Sequence, residues 1–151
     1  MILWIAAVVA STAVFAVILA REIVAGLRHR RHCKRLAAER GAGSKDAFRA
    51  RMQPTANLTA PQIDVIYAFL SAHAWPGFDI MPHDSLQREF GVGGRFGLSL
   101  SDFLDDLRAQ LNLPRRRAAR PPELRTVGEL IAFLDREAED SGRGRLPKRG
   151  L

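Results

Sequence analysis

Ile2 to Ala20 is a run of nineteen residues without an ionisable side chain, in which Ser11 and Thr12 are the polar members. As a helix rising about 1.5 Å per residue, such a run reaches across roughly the 30 Å of a hydrocarbon core. The two hydroxyls can bond back to their own helix carbonyls. Trp4 stands one turn from the outer end, where an amphipathic ring prefers an interface. The run predicts a transmembrane helix over residues 1–20. A cleaved signal peptide is the competing reading, but the run lacks a basic start, is long, and shows no convincing small-x-small site before Arg21. Cations follow the run and not its beginning, so the positive-inside rule places the amino terminus outside. The remainder is then cytoplasmic, as in a single-pass protein of the cell inner membrane.

Charge is strongly segregated beyond that point. Residues 21–52 hold ten Lys or Arg against three acids, residues 53–113 three against seven, and the remainder ten against six. The basic balance therefore belongs to the flanks. Residues 21–52 read as a basic juxtamembrane helix and linker: Ile23, Val24, Leu27 and Leu36 continue a helical pattern to about Glu39, and Gly41 to Ser44 breaks it. Arg28, Arg30, Arg31, Lys34 and Arg35 are placed to meet anionic lipid headgroups. Nucleic acid is not expected as a partner, because no aromatic residues are interleaved to stack on bases. His29-Arg30-Arg31-His32-Cys33 offers metal-ligating types, yet the neighbouring cations would repel an ion, and no metal is expected. Cys33 is the sole cysteine, which excludes an internal disulfide.

A helical domain is predicted over 53–140. Thr59-Ala60-Pro61-Gln62 is a capping box with proline in the first turn, followed by Ile63, Ile66, Tyr67 and Leu70 at helical spacing. A second long helix, Ser99 to Leu111, puts Leu100, Phe103, Leu104, Leu107 and Leu111 on one face. Asp102, Asp105, Asp106 and Arg108 fall on the other. Thr126-Val127-Gly128-Glu129 opens a third helix that buries Val127, Leu130, Ile131 and Leu134. The proline-bearing basic stretch from Pro114 to Pro122 is a connection, and residues 141–151 read as a disordered basic tail. His73 and His83 stand alone, without the orienting partner a general base needs.

The order of these pieces resembles the acyl carrier protein fold, and more closely a bacterial family of small acyl-carrier-like domains. The resemblance covers about Thr59 to Ala138. It rests on Leu86-Gln87-Arg88-Glu89-Phe90-Gly91, similar to the family's "L-x-x-D-L-G" turn, and on Thr126-Val127-Gly128-Glu129-Leu130, similar to the start of its last helix. It implies an all-α fold, here a single N-terminal transmembrane helix followed by a small acyl-carrier-like bundle.

In carrier proteins that turn leads to the serine that receives phosphopantetheine at the start of the long helix. With Phe90-Gly91 matched to its Leu-Gly, Gly93 and Gly94 fall where Asp and Ser should be, so the resemblance implies a domain without the prosthetic group. The alternative attachment site is Ser85 in Asp84-Ser85-Leu86. A long helix from there would have to run through Gly91, Gly93, Gly94 and Gly97, each costing about 1 kcal/mol against alanine. Ser99 and Ser101 are further alternatives. The same glycines lack the Gly-Lys-Ser/Thr ending of a phosphate loop.

The expected function is a membrane-tethered, non-enzymatic adaptor that docks an unknown cytoplasmic protein through Asp102, Asp105 and Asp106. A run of acids in the first turns of a helix is also what the macrodipole favours on a solvated face. The alternative function is a genuine acyl or peptidyl carrier bearing phosphopantetheine and serving lipid or natural-product assembly.

Overall fold

Helix α1 runs without a break from Ile2 to Arg40 and ends where Gly41 turns left-handed at φ +77°. It belongs to a computed structural model that describes residues 2–74, 77–93, 99–114 and 123–143, with side chains described from Ser11 to Ser141. Among the described residues five further α-helices follow: α2 (Lys45–Met52), α3 (Ala60–His73), α4 (Leu86–Phe90), α5 (Leu100–Gln110) and α6 (Val127–Arg143). Among the described residues there is no strand, only an isolated antiparallel bridge between Ser85 and Thr126.

Among the described residues no helix is long and apolar enough to cross a membrane. This corrects the transmembrane helix predicted over 1–20, and with it the single-pass placement in the inner membrane. A span needs about 20 predominantly apolar residues. In α1 the polar Ser11 and Thr12 are followed by the adjacent charges Arg21 and Glu22 and by further cations from Arg28 onward.

The lower part of α1 is instead built into the domain. Cys33 and Leu36 are buried in the same core cluster as Phe48 and Met52 of α2, although all four lie in the stretch that read as juxtamembrane linker. The chain turns between α1 and α2 at a point of close approach. A Cβ on Gly43 would stand 2.8 Å from the Phe78 carbonyl oxygen, so no side chain fits there. The Asp79 N–H donates to Gly41 O at 3.1 Å and the Tyr67 hydroxyl to Gly43 O at 2.9 Å, which ties this turn to the 77–80 loop and to α3. Ser44 then caps α2, accepting the Ala47 N–H at 3.1 Å.

Local chemistry sets the other boundaries. In α3 the Thr59 N–H donates to Gln62 Oε1 at 2.9 Å, and the helix buries Ile63, Ile66, Phe69 and Leu70. Helix α4 starts at the Ser85 cap and stops after five residues because Gly91 adopts φ +71°. In α6 the Arg125 and Thr126 N–H groups both donate to Glu129 Oε2, at 2.6 and 3.2 Å. Helix α6 continues to Arg143, and residues 144–151 of the expected tail lie outside the described residues. So do Gly94 to Gly97 of the glycine-rich turn and most of the connection from Pro114 to Pro122.

One core unites these helices. Phe103 of α5 meets Phe69 of α3 edge-on at 5.0 Å between ring centroids, and Phe78 of the loop lies 5.9 Å from Phe90 of α4. Leu104, Leu107, Leu130 and Leu134 are also fully buried in this cluster.

Candidate functional site

Helix α5 buries Phe103, Leu104 and Leu107 and leaves Asp102 and Asp106 exposed at its outer edge. Ser99 caps the helix from an exposed position. Its hydroxyl donates to Asp102 Oδ2 at 2.7 Å, while the Asp102 N–H donates back to Ser99 Oγ at 3.1 Å. Asp105 differs from the other two acids. Its side chain is 47% exposed and accepts from Arg108 Nη1 at 3.2 Å.

Arg108 itself does not stand on the solvent face where helical spacing had put it. It is 4% exposed, lies 5.5 Å from the centroid of the Phe133 ring, and donates from Nη2 to Glu137 Oε1 at 2.6 Å. The Glu137 carboxylate holds this guanidinium above its ordinary pKa against the opposing effect of burial. The acidic edge of α5 is thus Asp102 and Asp106, with Asp105 shared between solvent and the interior.

A second cluster of titratable groups lies between α1 and α4. Glu89 is 5% exposed. Its Oε2 accepts the Ser85 N–H at 2.8 Å, and its Oε1 lies 3.1 Å from His32 Nε2. His29 Nδ1 lies 3.1 Å from Arg88 O; a carbonyl only accepts, so Nδ1 carries the proton in this contact. His29 Nε2 then faces Cys33 Sγ at 3.6 Å. Cys33 is fully buried, and burial first and the Glu89 charge second push its thiol pKa up. A thiol kept protonated is a poor nucleophile, so this Cys–His contact, one turn apart within α1, acts as packing. About two turns further, Arg40 Nη1 donates to both Asp84 oxygens at 2.7 and 3.0 Å. Among the described residues no group of three or more His, Cys, Asp and Glu side chains could hold a metal ion.

The outward side of the same helix carries Arg28, Arg30, Arg31, Lys34 and Arg35, all exposed. They share that side because His29, His32, Cys33 and Leu36 occupy the side turned to α4 and the core.

Ser85 is held in a joint. Its Oγ accepts the Arg88 N–H at 3.2 Å, and next to it the Leu86 N–H donates to Arg125 O at 2.8 Å while the Val127 N–H donates to Asp84 O at 3.0 Å. The residue is half-buried and borders a cavity of about 300 Å³ whose lining includes Gln87, Val92, Leu100, Leu124 and Arg125. The two motifs of the acyl-carrier resemblance, 86–91 and 126–130, meet at this joint.

No family model matches the chain, and neither does any curated protein or any solved structure. The resemblance therefore stands on those two motifs and their order. A prosthetic arm on Ser85 does not fit what surrounds it: the hydroxyl is engaged in capping, and the helix it starts is five residues long. Ser99 is exposed at the head of the eleven-residue α5, and its hydroxyl too is engaged in capping, with Asp102.

Residue spacing could not reveal the burial of Arg108 or the linkage of His32 to Glu89. The signal available was the pattern Arg108 to Glu137 on two amphipathic helices, and it becomes informative only once their packing is known.

Proposed function

We propose that the chain is a non-enzymatic interaction module, carrier-like in its helical domain, that docks a partner protein through the acidic edge of α5. The observation that carries this reading is the inward turn of Arg108. The cation that would neutralise the outer edge is spent on Glu137, so Asp102 and Asp106 present negative charge to solvent on a helix whose other face is fixed in the core. A partner of matching chemistry carries a basic patch, and charge complementarity of this kind steers encounter and selects among partners. The Cys33 thiol, buried and held protonated, does not offer a competing catalytic centre.

The test is capture of a partner by the full chain from lysate of its own source, followed by identification and measurement with the purified pair. The double substitution D102K/D106K should leave the helical circular dichroism unchanged and weaken the purified complex on the order of tenfold or more. The wild-type complex should also weaken as salt rises, since the screening length falls from about 10 Å at 0.1 M to about 3 Å at 1 M. A complex indifferent to both changes would leave the acids as a solvated helix face and remove the basis for this function.

A further inference from the structure

Arg28, Arg31, Lys34 and Arg35 of α1 are exposed, and among the described residues none of them meets an acid or any other hydrogen-bonding partner. Cations elsewhere in the domain are held differently. Arg40 at the foot of α1, Lys45, Arg49 and Arg51 of α2, Arg88 of α4 and Arg108 of α5 each lie within 3.7 Å of a carboxylate oxygen. The fold therefore engages its acids at other places and leaves a block of positive charge on one helix.

Helix geometry fixes the shape of that block. At about 100° and 1.5 Å per residue, the four cations fall within roughly a third of the circumference and extend about 10 Å along the axis. They are kept outward because the other side of α1 is seated: His29 Nδ1 donates to Arg88 O at 3.1 Å, and Cys33 and Leu36 are buried. No acid stands among them, since none lies between Glu22 and Glu39. An array that is cationic throughout and offered from one side complements a surface whose negative charges lie in a plane.

We propose that this side of α1 docks on the anionic headgroups of a lipid bilayer, lying on the surface with no segment crossing it. A cluster of four or more Lys and Arg on a helix is drawn to the negative potential of such a surface, which needs no shaped partner. A nucleic acid fits less well. A duplex groove about 12 Å wide takes a helix that is free on more than one side, and here the other side is occupied by the domain. A single strand stacks its bases on aromatic rings, and no Phe, Tyr or Trp stands between Arg28 and Glu39. The contact does not involve the acidic edge of α5, so it stands or falls independently of partner docking there.

Co-sedimentation of the purified full chain with vesicles tests the proposal, with equal parts phosphatidylglycerol and phosphatidylcholine set against phosphatidylcholine alone. The wild type should partition onto the anionic vesicles more strongly by a factor on the order of a hundred. That excess should shrink as salt rises, because the attraction is screened. R31Q/R35Q should lower it on the order of tenfold. R125Q/R136Q makes the same change of net charge on exposed residues outside α1 and should leave it close to the wild-type level. Circular dichroism on both variants separates loss of binding from loss of the helices. Equal partition of the wild type onto both kinds of vesicle overturns the proposal. So does an equal loss in the two double variants, which would make net charge the cause, or a chain that leaves the anionic vesicles in favour of a duplex oligonucleotide bound through the same two arginines.

Discussion

Arg108 and Glu137 form a paired contact between α5 and α6, with Nε to Oε2 at 2.9 Å and Nη2 to Oε1 at 2.6 Å, and both side chains are largely withdrawn from solvent. The fork geometry of the guanidinium matches the carboxylate, and the Phe133 ring lies against it. The contact locks the two helices that frame the proposed docking edge.

Glu137→Ala should leave the buried guanidinium with Asp105 as its remaining acidic partner, at a cost of about 3 kcal/mol, the lower end for breaking a buried pair. Urea unfolding of the full chain at pH 7 measures it. The raised pKa of Arg108 means that its contribution is present below the ordinary guanidinium range and lost only at still higher pH. Between pH 5 and 9 the protonation of Arg108 should therefore add no slope to stability. A loss below about 1 kcal/mol would show that the pair is not the lock described.

Leu104→Ala removes a side chain that is 1% exposed at the centre of the core and should destabilise by about 2–5 kcal/mol. Asp106→Ala, two residues along on the exposed edge, should change stability by about half a kcal/mol or less. Equal losses in a chemical denaturation series would mean that the two faces of α5 are exchanged.

The buried Cys33 thiol gives α1 docking a pH limit. A pKa raised in the folded state stabilises below the unfolded thiol's value of about 8.5 and is lost as pH rises through the folded one. The wild-type denaturation midpoint should consequently fall more steeply than that of Cys33→Ala as pH rises above the unfolded thiol's value of about 8.5. Alkylation of Cys33 in the native chain should also be much slower than in urea. A thiol that reacts equally fast in both states would show that α1 is not seated on α4.

Incubation of the purified chain with a phosphopantetheinyl transferase and coenzyme A, read by intact mass, should leave the mass unchanged. A gain matching phosphopantetheine would establish the carrier reading, and Ser85→Ala and Ser99→Ala would then show which hydroxyl received the group.

Helix ends are legible in this sequence because their causes are local. Gly41 and Gly91 stop helices by adopting positive φ. Ser44, Thr59 with Gln62, and Thr126 with Glu129 start them through bonds that span three residues. The stripe Phe103, Leu104 and Leu107 is legible for the same reason, since helical period alone puts these residues on one face. Contacts between residues far apart in the chain are not encoded in any period. Helical spacing put Arg108 beside the aspartates, and Glu137, twenty-nine residues later, drew it inward. The basic stretch after Arg21 looked like a solvated linker because its cations dominate the composition. Tertiary packing split it by face, seating Cys33 and His32 against Glu89 more than fifty residues away and leaving Arg31, Lys34 and Arg35 outside. Local sequence determined where α3, α5 and α6 begin, whereas α2 and α4 had read as linker and turn, and packing decided which charges are buried, because burying a charge requires a partner that only the folded chain brings within reach.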